Sequence, residues 1–190
     1  MAHVILFHSV LGLRQVERDL AARWEGEGHT VTLPDLYEGR STQDYDEGFA
    51  IYEEIGSGTM IDRANEALSD TPRDVVMAGV SMGAGLASQL ASERPDMSGA
   101  LLLMGVAPFE DITEGTPIEV HAAKPDEYDT EEDFAAWRRA HDWPEAKIHR
   151  YEGAKGHYFL DPTLPAYDAE STELCLERVS AFLKGPDDED

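Results

Sequence analysis

The sequence predicts an α/β protein in which helices cover both faces of a mostly parallel β-sheet. Short apolar runs, such as residues 75–78 and 99–104, are typical of strands that are buried on both faces. Between such runs lie segments with apolar residues three and four positions apart, which is the period of an amphipathic helix. This alternation predicts a three-layer sandwich. The 190 residues suit one domain, which we place at 1–184, followed by an acidic, disordered tail at 185–190.

Each predicted element follows from a local pattern in the chain. The first helix ends at Gly26 and Gly28, and the β-branched strand that follows it stops at Pro34. Thr130, followed by three acidic residues, is a typical N-cap for the helix after the fifth strand. The predicted strands are 4–7, 30–33, 74–78, 99–104, 118–122 and 147–151, and the predicted helices are 13–24, 60–68, 84–92, 130–140 and 171–183.

Residues 35–58 are polar, aromatic and without a clear period, so we predict an irregular segment there. Tyr37, Tyr45, Phe49 and Tyr52 are distributed through it. Aromatic side chains in a long connection favour a covering role over a site, because they bring large apolar surfaces to the loop.

The most informative motif is a serine flanked by glycines. The pentapeptide Gly79-Val80-Ser81-Met82-Gly83 follows a predicted strand and opens a predicted helix. A sharp turn of this kind holds the serine in a strained conformation, so the residues two before and two after it must be nearly free of side chain. The pattern is that of a nucleophile elbow. An ordinary serine in a Gly-rich turn is the alternative.

A nucleophilic serine needs a general base, and the histidines supply the candidates. His157 follows the strand at 147–151, in a loop where Gly153 and Gly156 allow tight turns. Ligand-binding residues of a parallel sheet gather at the carboxyl ends of the strands, where this loop begins. His8, at the end of the first strand, is the one serious rival. We predict His157 as the base.

A carboxylate is expected to orient that imidazole. Asp126 follows the strand at 118–122 after a short loop, one strand away from His157. Glu127 and Asp129 lie close by and remain alternatives. The chain order of serine, acid and histidine is that of α/β-hydrolases.

Two backbone N–H groups complete the predicted site. Residues 8–12 form the loop after the first strand, where α/β-hydrolases place one donor of the oxyanion hole, and Val10 lies in its middle. The second donor is the N–H of Met82, directly after the nucleophile. A turn eased by Gly12, with no catalytic role, is the alternative for this loop.

The charge of the chain excludes two classes of partner. There are 39 acidic residues against 15 basic ones, which gives a formal net charge of -24. Nucleic acids and anionic membranes require Lys and Arg to neutralise phosphate, so we expect neither as a partner. No apolar run approaches the roughly 20 residues that span a bilayer. The same acidity suits a salty cytoplasm, where counter-ions screen the self-repulsion of the chain.

The compartment and the cofactors are predicted from motifs that the chain lacks. Residues 1–7 carry no basic leader, and the single cysteine, Cys175, excludes an internal disulfide, so we expect a cytoplasmic protein. Cys175 shares a helix face with Val179 and Phe182, which predicts core packing. We expect no metal, because no His-Glu-x-x-His spacing occurs, and no nucleotide cofactor, because the Walker and dinucleotide fingerprints are missing. No pattern reports the oligomeric state.

These motifs together resemble the dienelactone hydrolase family of small α/β-hydrolases. The resemblance covers almost the whole chain, and its motifs lie at 11–14, 34–37, 79–83, 120–121 with Asp126, and 156–159. It implies an α/β-hydrolase fold without a large cap domain. It also implies a triad of Ser81, Asp126 and His157, with Val10 and Met82 as the oxyanion hole.

Two departures from the family pattern bear on the substrate. Dienelactone hydrolases proper use a cysteine nucleophile and an activating glutamate after the first strand, whereas Ser81 and Ser9 occupy those positions here. No arginine follows His157 within residues 156–167 to hold a substrate carboxylate. Arg14 and Arg40 are the remaining candidates, with solvated surface roles as the alternative. Dienelactone itself is therefore not the expected substrate.

The implied activity is that of a serine hydrolase that cleaves a small ester, lactone or thioester through an acyl-enzyme. A perhydrolase-like activity also stays open. A different class remains as well: a non-catalytic protein that binds small molecules on a hydrolase fold, since a fold alone does not establish turnover.

Overall fold

A computed structural model describes residues 1–185, so residues 186–190 of the predicted tail lie outside the described residues. Six strands and six helices occur within residues 1–185. The strands are β1 (His3–Phe7), β2 (Thr30–Thr32), β3 (Val76–Val80), β4 (Gly99–Leu103), β5 (Ile118–Ala123) and β6 (Ala146–Tyr151). The helices are α1 (Gln15–Gly26), α2 (Tyr45–Ile55), α3 (Ser57–Ser69), α4 (Met82–Ala91), α5 (Glu131–Ala140) and α6 (Ala169–Lys184).

The strands form one parallel sheet in the order β2-β1-β3-β4-β5-β6. The strand order reverses between β1 and β3, and ligands of open parallel sheets bind beside such a reversal, at the carboxyl ends of the strands. The predicted α/β-hydrolase fold is confirmed. None of the helices within residues 1–185 combines the length and the hydrophobicity that crossing a membrane requires.

Alternate residues of the strands pack into two separate apolar cores, one on each face of the sheet. On one face, Phe7 and Leu102 pack with α3, α4 and α5, whereas on the other face Leu6 and Leu101 pack with α1 and α6. This alternation is the two-residue period of a strand that is covered on both faces. Cys175 is fully buried in the second core, as its position in the helix pattern predicts.

The third strand is shifted by two residues from the predicted 74–78, because it begins at Val76 and ends at Val80. We expected it to end at residue 78, but β3 continues through Gly79 and Val80, because Val80 is in register with Leu103 of β4. The next N–H, that of Ser81, donates to the carbonyl of Leu103 at 2.8 Å. The serine is therefore attached directly to the end of a paired strand.

Residues 35–44 are irregular, as predicted, but the prediction is wrong for the rest of the segment, because it contains α2 and the first two residues of α3. The Asp44 side chain caps α2 by accepting the N–H of Glu47 at 2.9 Å. Tyr45, Phe49 and Tyr52 are three and four residues apart, so they share one face of this helix. Gly48 lets α2 lie close to the loop after β1, since a Cβ at this position would stand 2.8 Å from the carbonyl oxygen of Val10.

Candidate active site

Ser81 occupies a sharp turn between β3 and α4. Its backbone has φ 53° and ψ -113°, which a non-glycine residue adopts only under strain. A Cβ on Gly79 would lie 2.0 Å from the carbonyl oxygen of Gly83, and a Cβ on Gly83 would lie 2.2 Å from that of Phe7. The steric demand that the motif predicts is therefore present at both glycines.

Ser81, His157 and Asp126 are hydrogen-bonded in series. The Ser81 Oγ lies 2.9 Å from the Nε2 of His157, and the Nδ1 of His157 lies 2.9 Å from both carboxylate oxygens of Asp126. The His157 side chain is 4% exposed and that of Asp126 is 0% exposed. The loops after β6 and β5 bring these groups to the elbow from across the sheet.

The environment keeps Asp126 ionised. Burial alone would raise the pKa of Asp126, but the hydrogen bond with His157 and the N–H groups of Tyr128 and Asp129 lower it below its ordinary value. A charged carboxylate on Nδ1 favours the tautomer with its proton there, which leaves Nε2 free to accept the serine proton.

Asp129 and Glu127, the alternative acids, make other contacts. Asp129 accepts the N–H of Val106 at 3.1 Å, and burial raises its pKa, with the charge of Asp126 acting in the same direction. The Glu127 carboxylate accepts the backbone N–H of His157 at 3.0 Å. A Cβ on Gly156 would stand 3.1 Å from that carboxylate, so this glycine makes room for the contact that fixes the histidine loop.

Both ring nitrogens of His8, the rival base, form hydrogen bonds with the backbone. Its Nδ1 donates to the carbonyl of Ser9 at 2.7 Å, and its Nε2 accepts the N–H of Leu36 at 3.1 Å. Burial lowers the pKa of His8, which favours the neutral form that this pair of bonds requires. The ring therefore ties the loop after β1 to the segment after β2.

The loop that carries Val10 is held by two backbone hydrogen bonds. The N–H of Gly12 donates to the carbonyl of Ser9 at 3.1 Å, and the N–H of Thr42 donates to that of Leu11 at 3.0 Å. Gly12 has φ 87°, a conformation that favours glycine. Val10 and Met82 both line the cavity above Ser81. Met82 is the first residue of α4, where backbone N–H groups have no intrahelical acceptor.

The cavity at Ser81 measures about 350 Å³. One part of its wall is aromatic and comes from α2 and from the loop after β5, with Tyr45, Phe49, Tyr52 and Tyr128. Of the four aromatic residues for which the sequence predicts a covering role, three line the cavity from one face of α2, whereas Tyr37 does not line it. Among the described lining residues, Asp129 is the one with an acidic side chain, and none is Lys or Arg.

A sequence model of the dienelactone hydrolase family matches residues 1–185. The chain belongs to the dienelactone hydrolase family. Membership makes it a hydrolase that acts on ester bonds, as the resemblance implies. No curated protein matches the chain by sequence.

Solved structures share the fold of this dienelactone hydrolase family member at low identity. A candidate dienelactone hydrolase from Klebsiella pneumoniae is 19% identical, with a TM-score of 0.75 over 96% of this chain and 86% of that one. A dienelactone hydrolase-like promiscuous phosphotriesterase from metagenomic libraries is 17% identical, with a TM-score of 0.75 over 95% and 84%. The thioesterase domain from the curacin biosynthetic pathway is 16% identical, with a TM-score of 0.65 over 92% and 90%.

Within this family member, Tyr158 is a site residue that sequence reasoning missed. Its hydroxyl lies 3.1 Å from the Ser81 Oγ, and its ring stacks on that of Tyr45 with centroids 5.2 Å apart. Burial raises the pKa of Tyr158, so the hydroxyl keeps its proton at neutral pH. Its position directly after the histidine was the signal available in the sequence.

Glu17 is a second residue that sequence reasoning missed, and it contacts the loop after β1. It is 0% exposed, and its carboxylate accepts the N–H groups of Ser9 at 3.3 Å and of Arg14 at 3.0 Å. Burial raises the pKa of Glu17, and these N–H groups oppose that rise. Its place in the third position of α1, where a carboxylate often caps the helix, was the signal in the sequence.

Arg14 and Arg40, the candidates for binding a substrate carboxylate, form ion pairs outside the cavity. Arg14 is buried and pairs with Asp161 at 2.8 Å, and it also donates to Thr163. Arg40 pairs with Glu54 at 2.9 Å on the surface. Neither lines the cavity at Ser81.

Proposed function

We propose that this family member is a serine hydrolase that works through an acyl-enzyme, with Ser81 as nucleophile, His157 as general base and Asp126 as the orienting acid. The observation that carries the proposal is the unbroken series of 2.9 Å contacts from Ser81 through His157 to Asp126. This series has the geometry that nucleophile, base and orienting group need.

In the acylation step, the Ser81 Oγ attacks the substrate carbonyl carbon while the Nε2 of His157 takes the serine proton. The carbonyl oxygen becomes an oxyanion, and the N–H groups of Val10 and Met82 stabilise it. Asp126 stabilises the imidazolium that forms. The same Nε2 proton then passes to the departing oxygen or sulfur as the tetrahedral species collapses.

Water completes the cycle. His157 removes a proton from a water molecule, the resulting hydroxide equivalent attacks the acyl carbon, and Ser81 regains its proton as the acid is released. A serine hydroxyl is far less acidic than a thiol, so this route depends on His157 rather than on a preformed anion.

The substrate that this cavity favours is a small, uncharged ester, lactone or thioester with an apolar acyl group. Aromatic side chains form much of the wall, and Asp129 would repel a carboxylate on the substrate. The absence of Lys and Arg from the described lining supports the same class. The likeness to a thioesterase domain keeps thioesters in the assay panel beside esters and lactones.

We also propose that the chain acts in the cytoplasm as one domain over residues 1–184, on small molecules rather than on nucleic acids or membranes. The net charge of -24 supports this choice of partner, and the single, buried Cys175 supports a reducing compartment.

A pair of chromogenic esters that differ by one charge tests the proposed chemistry and the substrate class together. p-Nitrophenyl butyrate and p-nitrophenyl hemisuccinate have acyl chains of equal length. We expect kcat/KM to be at least about tenfold higher for the butyrate, because Asp129 and the apolar wall disfavour the second carboxylate. Ser81→Ala should abolish both activities. Turnover that survives in Ser81→Ala would refute the mechanism, and a preference for the hemisuccinate would refute the substrate class.

A further inference from the structure

Three potential metal ligands meet on the face of β5 and β6 that packs against α6. Glu119 and His121 are two residues apart on β5, so their side chains leave the same face of the strand. His149 is the register partner of His121 on β6. Strand spacing and register therefore bring two imidazoles and one carboxylate together, away from the carboxyl ends that carry the active site.

The distances within this cluster suit a shared metal ion. The Glu119 Oε2 lies 3.2 Å from the Nε2 of His121 and 3.2 Å from the Nε2 of His149. One ligand atom from each of the three residues lies within 4.8 Å of the others. Ligands about 2.0–2.1 Å from a tetrahedral Zn²⁺ are roughly 3.3–3.4 Å from one another, so an ion would require only small side-chain movements.

The surroundings supply the outer contact that metal-bound histidines usually make. The Nδ1 of His121 lies 2.7 Å from the hydroxyl of Tyr151, which can accept a hydrogen bond from Nδ1–H and so leave the lone pair of Nε2 free for an ion.

We propose that Glu119, His121 and His149 form a binding site for Zn²⁺ or a divalent ion of similar ligand preference, with water in the fourth position. The expectation of no metal rested on helical spacing, whereas these ligands come from two strands. Since β6 is the last strand in the sheet order of the described residues, an ion here would join it to β5. The site would then stabilise the two strands that lead to Asp126 and His157.

Two cations face the cluster and would have to adjust. The Lys147 Nζ lies 3.8 Å from the other oxygen of Glu119, and its side chain is 58% exposed, so it can turn into solvent. The Arg178 guanidinium lies 5.3 Å from the centre of the Tyr151 ring. The strongly negative net charge of the chain favours divalent cations at its surface and partly offsets these two charges. The His149 side chain is 21% exposed, but its Nε2 is buried, so the ring would have to turn to admit an ion.

Zinc binding to tag-free, chelator-treated protein tests the proposal. Zn²⁺ is titrated against a chromophoric chelator, and Co²⁺ absorption reports the ligand geometry. Wild type is compared with Glu119→Gln and His149→Ala. His3→Ala is the matched control, since His3 lies on β1 and contacts Thr32. His157→Gln disrupts the other described group of metal-ligating residues, which comprises Asp126, Asp129 and His157. Circular dichroism establishes that each variant is folded.

We expect one Zn²⁺ per chain and a rise in the melting temperature of the wild type with added Zn²⁺. Both cluster variants should weaken binding by at least about tenfold and lose the rise, while His3→Ala and His157→Gln bind as the wild type does. If Glu119→Gln does not fold, His149→Ala, at a partly exposed position, decides alone. The proposal is overturned if folded wild type shows no saturable binding, if His149→Ala binds normally, or if His157→Gln abolishes binding.

Discussion

The two walls of the cavity differ in how they are held in place. The wall with Ser81 and His157 rests on the backbone geometry of Ser81 and on the almost fully buried side chains of His157 and its partner Asp126. The aromatic wall includes Phe49 and Tyr128, which are 49% and 48% exposed. Buried hydrogen bonds and close backbone contacts therefore position the proposed chemistry, whereas replaceable, half-exposed side chains shape the space for the substrate.

We expect the largest effect on activity from a substitution of Asp126, the acid of the proposed triad. Asp126→Asn keeps the size of the side chain but no longer favours the reactive tautomer of His157, so kcat/KM should fall by about 10⁴ with the fold retained. Asp129→Asn is the matched control, because Asp129 contacts Val106 instead, and it should cost about tenfold or less. Steady-state kinetics on both variants decides; a larger loss in Asp129→Asn would reverse the assignment.

The close backbone contacts at the elbow predict that a side chain at Gly83 destabilises the protein. Gly83→Ala would place a Cβ 2.2 Å from the carbonyl oxygen of Phe7, so we expect a loss of about 3 kcal/mol or more in the free energy of unfolding. Gly85→Ala on the same helix meets nothing within 4 Å and should be neutral or stabilise by about 0.5–1 kcal/mol. Urea unfolding measures both; equal stabilities would show that the elbow is not sterically constrained.

The same contrast explains which parts of the molecule the sequence predicts. The elbow is predictable because its motif is local: five consecutive residues contain the strained serine and both glycines, although the carbonyl that requires Gly83 is that of Phe7 on β1. The strands are predictable because burial on both faces leaves a continuous apolar run. The end of β3 was misjudged because pairing with β4, which is not local, extends it to Val80.

Contacts between distant segments account for what the sequence did not predict. Helix α2 depends on its Asp44 cap and on the close approach of Gly48 to the carbonyl of Val10, and the mixture of polar and aromatic residues hid its period. The contact of Tyr158 with Ser81 and the burial of Arg14 against Asp161 depend on how loops from different strands meet. No sequence spacing encodes these distances.

Tyr158 contacts both walls, because its hydroxyl lies against Ser81 and its ring stacks on Tyr45. Removing the hydroxyl therefore tests whether this residue acts in catalysis or in substrate binding. Tyr158→Phe removes the contact with the Ser81 Oγ, and we expect kcat to fall by about three- to tenfold with KM little changed, as for one lost hydrogen bond of about 1 kcal/mol. Tyr45→Phe, which keeps the ring that stacks on Tyr158, should be near neutral. A change confined to KM in Tyr158→Phe would assign the residue to substrate binding alone.

The aromatic wall should control the preference for acyl length. Phe49→Ala removes apolar surface from the cavity, so kcat/KM for p-nitrophenyl hexanoate should fall about three- to fivefold while that for the acetate stays constant. Leu174→Ala provides a matched control at an exposed apolar residue that does not line this cavity. An equal loss for both esters would mean that Phe49 acts on catalysis rather than on substrate selection.

Salt should raise the stability of the protein by screening its surface charge, without changing either wall of the cavity. With a net charge of -24, self-repulsion weakens as ionic strength rises, so the melting temperature should increase by a few degrees between low and moderate salt. The ratio of hexanoate to acetate turnover should stay constant over the same range. A melting temperature that is constant or falls would show that self-repulsion does not limit stability.

The central claim is that Ser81 is an activated nucleophile, and intact-mass analysis after treatment with a fluorophosphonate tests it most directly. Wild type, Ser81→Ala and His157→Gln are compared after their folding has been established. The proposed mechanism predicts a single adduct on the wild type, none on Ser81→Ala and strongly slowed labelling of His157→Gln. An unmodified wild type, or an adduct that persists in Ser81→Ala, would contradict it.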